Sequence, residues 1–145
     1  MAKLLGTAYE VGESEIVISR KPTDGTAIEE GLFVKQGADG FVSASNAGSA
    51  AAPFGVMAQQ EAVACSVILS GLKVAVQLTD AITPTAGQIV YVNATNNKAT
   101  NVSSSGANFG TNATFTGNYG TDAIRNNANA STEVRWAEIN MPNGL

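Results

Sequence analysis

The chain has 145 residues, of which 44% are hydrophobic and only 14% are charged, with a formal net charge of −4 at pH 7. This length is enough for one domain with a hydrophobic core of its own. The acidic balance argues against a nucleic-acid-binding protein, because such a protein needs a basic face to displace counterions from phosphates.

The N-terminal part of the chain predicts an extended arm followed by short strands. Residues 1–12 contain Leu4, Leu5 and Tyr9 among glycines, and we expect them to form an arm outside the domain. Residues 13–145 are expected to form a single β domain. Hydrophobic alternation and turn signals in its first part predict strands at 13–20, 32–36, 41–44 and 53–58.

The central part of the chain has the clearest strand pattern. Residues 63–69 are almost continuously apolar, which indicates a strand buried on both faces, and Cys65 within them is expected to be an inert core thiol. From 72 to 79 apolar and other residues alternate with a period of two, as in a strand with one buried face. Residues 89–93 and 98–102 predict a hairpin.

Residues 103–131 are rich in asparagine and glycine, and we expect a long loop with one short strand at 113–116. A last strand is predicted at 132–141, with Trp136 in the core. About eight short strands with frequent turns, and no amphipathic helix, predict an all-β fold. A small antiparallel β-sandwich, a jelly roll and a β-barrel all fit this pattern.

The sequence offers few groups for catalysis or metal binding. Histidine is absent and there is a single cysteine, so neither a Ser-His-Asp arrangement nor a paired-cysteine zinc site is possible within the chain. The acidic pairs Glu13/Glu15, Glu29/Glu30 and Glu133/Glu138 are interpreted as solvated surface. We therefore expect no enzyme activity, no cofactor and no metal.

The N-terminus lacks the apolar stretch of a signal peptide, and no apolar run approaches the roughly 20 residues of a membrane span. Synthesis in a cytoplasm, without membrane contact, is the resulting expectation.

Residues 71–102 read Gly-Leu-Lys-Val-Ala-Val, then Thr-Pro-Thr-Ala-Gly-Gln-Ile-Val-Tyr-Val-Asn, then Asn-Asn-Lys-Ala-Thr. Together with Pro-Phe-Gly-Val-Met-Ala at 53–58, this segment resembles the head cement or decoration proteins of tailed bacteriophages, over roughly residues 31–102. The resemblance implies an all-β clamp on the outer surface of the capsid that binds the major capsid protein. It also implies a virion protein, made in the bacterial host cytoplasm, that associates with itself as a dimer or a trimer.

Two groups of apolar residues are predicted to contact partners. The arm residues Leu4, Leu5 and Tyr9 could add a strand to a neighbour's sheet edge, and Phe109, Phe115 and Tyr119 could be buried in a partner. Two alternatives remain open at this point. One is another phage or surface subunit of a tail, fibre or pilus, and the other is a carbohydrate-binding module that uses Trp136 and the same loop aromatics.

Overall fold

The computed structural model describes residues 8–10, 16–20, 28–36, 42–44, 55–60, 65–93, 95–103, 108–123 and 133–145. These residues contain ten β-strands and no helix, so the all-β prediction is confirmed. Accordingly, no helix in these ranges could cross a membrane. The strands are β1 Ala8–Glu10, β2 Ile16–Arg20, β3 Phe33–Gln36, β4 Val42–Ala44, β5 Gly55–Gln60, β6 Cys65–Gln77, β7 Ile89–Asn93, β8 Ala99–Thr100, β9 Asn108–Ala123 and β10 Glu133–Met141.

Strand β6 is the centre of the structure, because it pairs with four other strands. Its first half pairs with β2 and β5, and its second half pairs with β1 and β10. The prediction of two separate strands at 63–69 and 72–79 was wrong, since the chain continues through Gly71 without a turn. Lys73 has a φ of 52°, and its N–H donates to Asn140 Oδ1 at 3.0 Å. The positive φ of Lys73 is therefore a local irregularity inside one strand.

The strands form one curled antiparallel sheet in the order β4-β3-β5-β6-β10-β9-β7-β8. The far strand β8 reaches back to the residues that follow β6. Leu78 and Ala99 form an isolated parallel bridge, and the Thr79 N–H donates to the Ala99 carbonyl at 2.9 Å. This contact joins the two sides of the β6-β10-β9-β7-β8 half-barrel.

The main hydrophobic core lies inside this half-barrel. The predicted alternation of β6 is confirmed for Val74, Val76 and Leu78, which are fully buried there. The inward residues of β10 follow the same period of two and lie beside them on the same face of the sheet, Ala137 next to Val76 and Ile139 next to Val74. The buried members of the core are Phe33, Val56, Ile68, Val74, Val76, Leu78, Val90, Val92, Ala99, Ala113, Phe115, Ala137, Ile139 and Met141.

Strand β9 includes the short strand predicted at 113–116 and corrects the prediction of a loop at 108–112 and 117–123. Residues 104–107 and 124–131 lie outside the described residues. Residues 108–123 are one strand between β7 and β10. Two of the glycines that suggested a loop, Gly110 and Gly120, lie beneath aromatic rings of the neighbouring strands. A Cβ atom at Gly120 would lie 2.9 Å from the Trp136 Cζ2 atom, and one at Gly110 would lie 3.3 Å from the Tyr91 ring. Glycine in a strand can thus mark a close approach rather than an interruption.

Candidate interaction surfaces

Of the three predicted arm residues, the structure describes only Tyr9. Leu4 and Leu5 lie outside the described residues. Tyr9 lies in β1. The residues on either side of it pair with β6 of the same chain, Ala8 with Val74 and Glu10 with Leu72. This part of the predicted arm is therefore a strand of the chain's own sheet.

The three aromatic residues predicted to contact a partner have different environments. Phe115 is a core residue with 1% of its surface exposed, so its ring packs inside this chain rather than at the surface where a partner contact was predicted. Phe109 is half-buried and packs against the same core. Only Tyr119 is exposed, at 42%. Strand alternation alone would place all three rings on one face of β9, because their positions differ by even numbers. Phe115 pairs with Ile139 in the core, whereas Tyr119 pairs with Ala137 beyond a shift in the β9–β10 register.

Tyr119 lies beside an ordered arginine. The Arg135 guanidinium carbon is 6.0 Å from the centroid of the Tyr119 ring. The same guanidinium donates from Nη1 to the Thr79 carbonyl at 2.9 Å and from Nη2 to the Ile82 carbonyl at 2.6 Å. Arg135 therefore fastens the turn after β6 to β10 and holds its charge near the exposed tyrosine, at a distance typical of a cation–π contact.

Trp136 and Tyr119 do not form one stacking platform for a sugar. Trp136 pairs with Gly120, whereas Tyr119 pairs with Ala137, so the two rings belong to opposite faces of the sheet. Trp136 is half-buried and packs against Ala75 and Val134. The predicted core position of the tryptophan is thus a small cluster on the outer face of the sheet, and the carbohydrate alternative loses its expected geometry.

One exposed apolar surface lies beside β2, and we call it the β2 groove. Its volume is about 430 Å³, and Ile16, Leu69, Pro142 and Leu145 supply apolar side chains to its lining. Ile16 is 51% exposed, and the next residue, Val17, is 50% exposed. The sequence pattern predicts that both residues lie in one strand, but it does not indicate that both faces of this strand are accessible.

A second exposed apolar surface is formed by Ile89 and Val102, each 49% exposed, and we call it the Ile89–Val102 patch. Tyr91 pairs with Thr100, and Ile89 and Val102 lie two residues before and after this pair, at the same end of the two strands. Next to them, the Asn101 side-chain amide donates to Gln88 Oε1 at 3.0 Å. In the sequence, this patch is indicated by the alternation of β7, where Ile89 lies on the outward side and Val90 and Val92 lie on the inward side.

Two acidic residues interpreted as solvated surface are buried. Glu138 is 3% exposed, and its Oε1 accepts hydrogen bonds from Thr116 Oγ1 at 3.0 Å and Asn118 Nδ2 at 3.1 Å. Glu30 is also 3% exposed, whereas Glu29 and Glu133 are exposed as expected. A carboxylate can be buried where hydrogen-bond donors face it, and a pair of acidic residues in the sequence does not show whether such donors are present.

The arrangement as a whole offers surfaces for association more clearly than a site for chemistry. The described residues contain no group of three or more His, Cys, Asp or Glu that could hold a metal ion. They do contain two half-exposed aliphatic surfaces on a curled sheet. No protein-family model and no curated protein matches the sequence.

Proposed function

We propose that this protein is a capsid decoration protein, which binds the outer surface of a bacteriophage head and stabilises contacts between major capsid protein subunits. Its action is binding, without catalysis. The segment that resembles such proteins, roughly residues 31–102, contains β3 to β8 and so supplies three strands of the half-barrel, β6, β7 and β8.

The observation that carries this proposal is the presence of two exposed apolar surfaces at separate places in one sheet. The β2 groove borders β6, while the Ile89–Val102 patch lies on β7 and the segment following β8, with β10 and β9 between them in the strand order. Exposed apolar surface of this kind often marks a contact with another protein. A body with two contacts can bridge two subunits, because the second contact then forms at high effective concentration.

The first test is the composition of purified particles. Virions from a host that expresses this sequence are purified, and quantitative mass spectrometry compares the protein with the major capsid protein. We expect comparable copy numbers and labelling over the shell in electron micrographs. Absence from particles would refute the proposal, and labelling confined to tails would favour a tail or fibre subunit instead.

The second test uses variants of the two surfaces. Ile89→Ser with Val102→Ser changes one surface, Ile16→Ser with Val17→Ser changes the other, and Asn112→Ser is a control at an exposed polar position of β9. Each is added to shells that lack the protein, and bound protein is measured after sedimentation. Either apolar variant is expected to lower occupancy at least tenfold while the circular dichroism spectrum is unchanged. Equal occupancy for all variants would show that neither surface meets the shell.

A further inference from the structure

Beyond the two apolar surfaces, several buried side-chain oxygen atoms lie at the end of β6 and in the segments joined to it by hydrogen bonds. We define the polar cluster as Glu30, Gln77, Thr79 and Asn97. Gln77 is completely buried, Glu30 is 3% exposed and Thr79 is 8% exposed. Such residues are seldom buried without an interaction that compensates for lost hydration.

The Gln77 side chain has a fixed orientation. Its Nε2 donates to Glu29 Oε2 at 3.0 Å and to the Glu30 carbonyl at 3.0 Å, while its backbone N–H donates to the Gly31 carbonyl at 2.9 Å. Both hydrogens of the amide are therefore used, and the amide cannot be reversed without facing two acceptors with an oxygen. Its Oε1 atom has no hydrogen-bond partner in the part of the chain that the structure describes.

Backbone hydrogen bonds bring two more segments to the same place. The Phe33 N–H donates to the Asn97 carbonyl at 3.1 Å, which joins the β7–β8 turn to the segment before β3. Thr79 follows β6 and donates its N–H to Ala99 at 2.9 Å. Within the described ranges, Thr79 Oγ1 and Asn97 Oδ1 are buried atoms without a hydrogen-bond partner, as is Gln77 Oε1.

The three atoms share one chemical property, since each is an oxygen with a free lone pair. Two are amide carbonyl oxygens, one is a hydroxyl oxygen, and the carboxylate of Glu30 belongs to the same cluster. Neutral carbonyl and hydroxyl oxygens combined with a carboxylate form the ligand set that Ca²⁺ accepts, in flexible geometry and with water completing the shell. Mg²⁺ requires stricter octahedral geometry and releases its water reluctantly.

We propose that the polar cluster at the end of β6 binds a hard divalent cation, with Ca²⁺ preferred over Mg²⁺. The cation would join the segment before β3, the end of β6 and the β7–β8 turn, and so stabilise the half-barrel. This proposal does not depend on capsid binding.

The test is calcium binding by the full chain after treatment with EDTA and removal of the chelator. Isothermal titration with CaCl₂ is expected to show one saturable site per chain, and the melting temperature is expected to rise by several degrees in calcium. MgCl₂ is expected to bind at least tenfold more weakly. The absence of saturable heat, with an unchanged melting temperature, would overturn the proposal and indicate that water alone fills the cluster.

Two variants each remove one oxygen, from different segments. Asn97→Gly keeps access to the positive φ of 62° at this position, and Thr79→Val keeps the shape of the side chain. Their matched controls are Asn96→Gly in the same turn and Thr85→Val, both at exposed positions. Each cluster variant is expected to weaken calcium binding at least tenfold, and neither control is expected to change it. Equal affinity in all four would place the cation elsewhere, and a folding defect in one cluster variant leaves the other as the test.

Discussion

The replacement Phe115→Ala tests whether this side chain is buried in the core, as strand β9 places it, or lies in a surface segment. Phe115 is 1% exposed and belongs to the main core. A buried phenylalanine removes about 150–250 Å² from water, and the lower value at about 25 cal/mol per Å² corresponds to about 4 kcal/mol. Measured losses for Phe→Ala in protein cores are about 3–5 kcal/mol, including the cavity that remains. A domain with roughly 5–15 kcal/mol of stability would lose a large fraction of it.

The assay is equilibrium unfolding in urea, followed by the fluorescence of Trp136, the single tryptophan of the chain. The matched control is Tyr119→Ala, four residues along the same strand, where the ring is 42% exposed. We expect the control to cost no more than about 1 kcal/mol, including its contact with Arg135. A loss below about 1 kcal/mol for Phe115→Ala, or equal losses for both variants, would refute the core position of Phe115.

Two further predictions concern close packing and the turn after β6. Gly55→Ala is expected to lower the free energy of unfolding by about 1–3 kcal/mol, because the new Cβ would lie 2.7 Å from the Ile68 carbonyl oxygen. The melting temperature in thermal unfolding measures this loss, and an unchanged value would contradict the prediction. Arg135→Leu removes the donors to the Thr79 and Ile82 carbonyls, so backbone amides of this turn should exchange hydrogen faster, as measured by mass spectrometry. Protection equal to that of the unchanged protein would show that the arginine does not hold the turn.

The sequence predicts the fold class because its strongest pattern belongs to the central strand. The alternation from Val74 to Leu78 matches the inward face of β6, and the strands at 89–93 and 133–141 match their predicted positions closely. The continuity of β6 could not be predicted, because Ser70-Gly71 has the composition of a turn. In the structure Ser70 pairs with Ile16 of β2 and Gly71 pairs with Met141 of β10, and this pairing carries the strand through the segment.

The full length of strand β9 could not be predicted from its own residues, because the side chains that pack over its glycines belong to neighbouring strands. Gly110 and Gly120 carry no side chain, and the rings that cover them come from Tyr91 and Trp136 on other strands. The same limit applies to the surfaces. The outward position of Ile89 follows from the alternation of β7, but its 49% exposure depends on which elements cover that face. Gln77 likewise resembles a surface residue in the sequence, and it is buried against the segment before β3.

The position of β6 has a consequence for synthesis of the protein. Pairing joins Trp136 with Gln77 and Met141 with Gly71, so one edge of the second half of β6 has no partner until β10 has been translated. Contacts this distant in sequence slow folding, and a waiting apolar strand can pair with strands of other chains. The nascent chain must therefore keep this long apolar strand soluble through the whole interval between β6 and β10, and the many Asn, Ser and Thr residues in that interval favour solubility over early collapse.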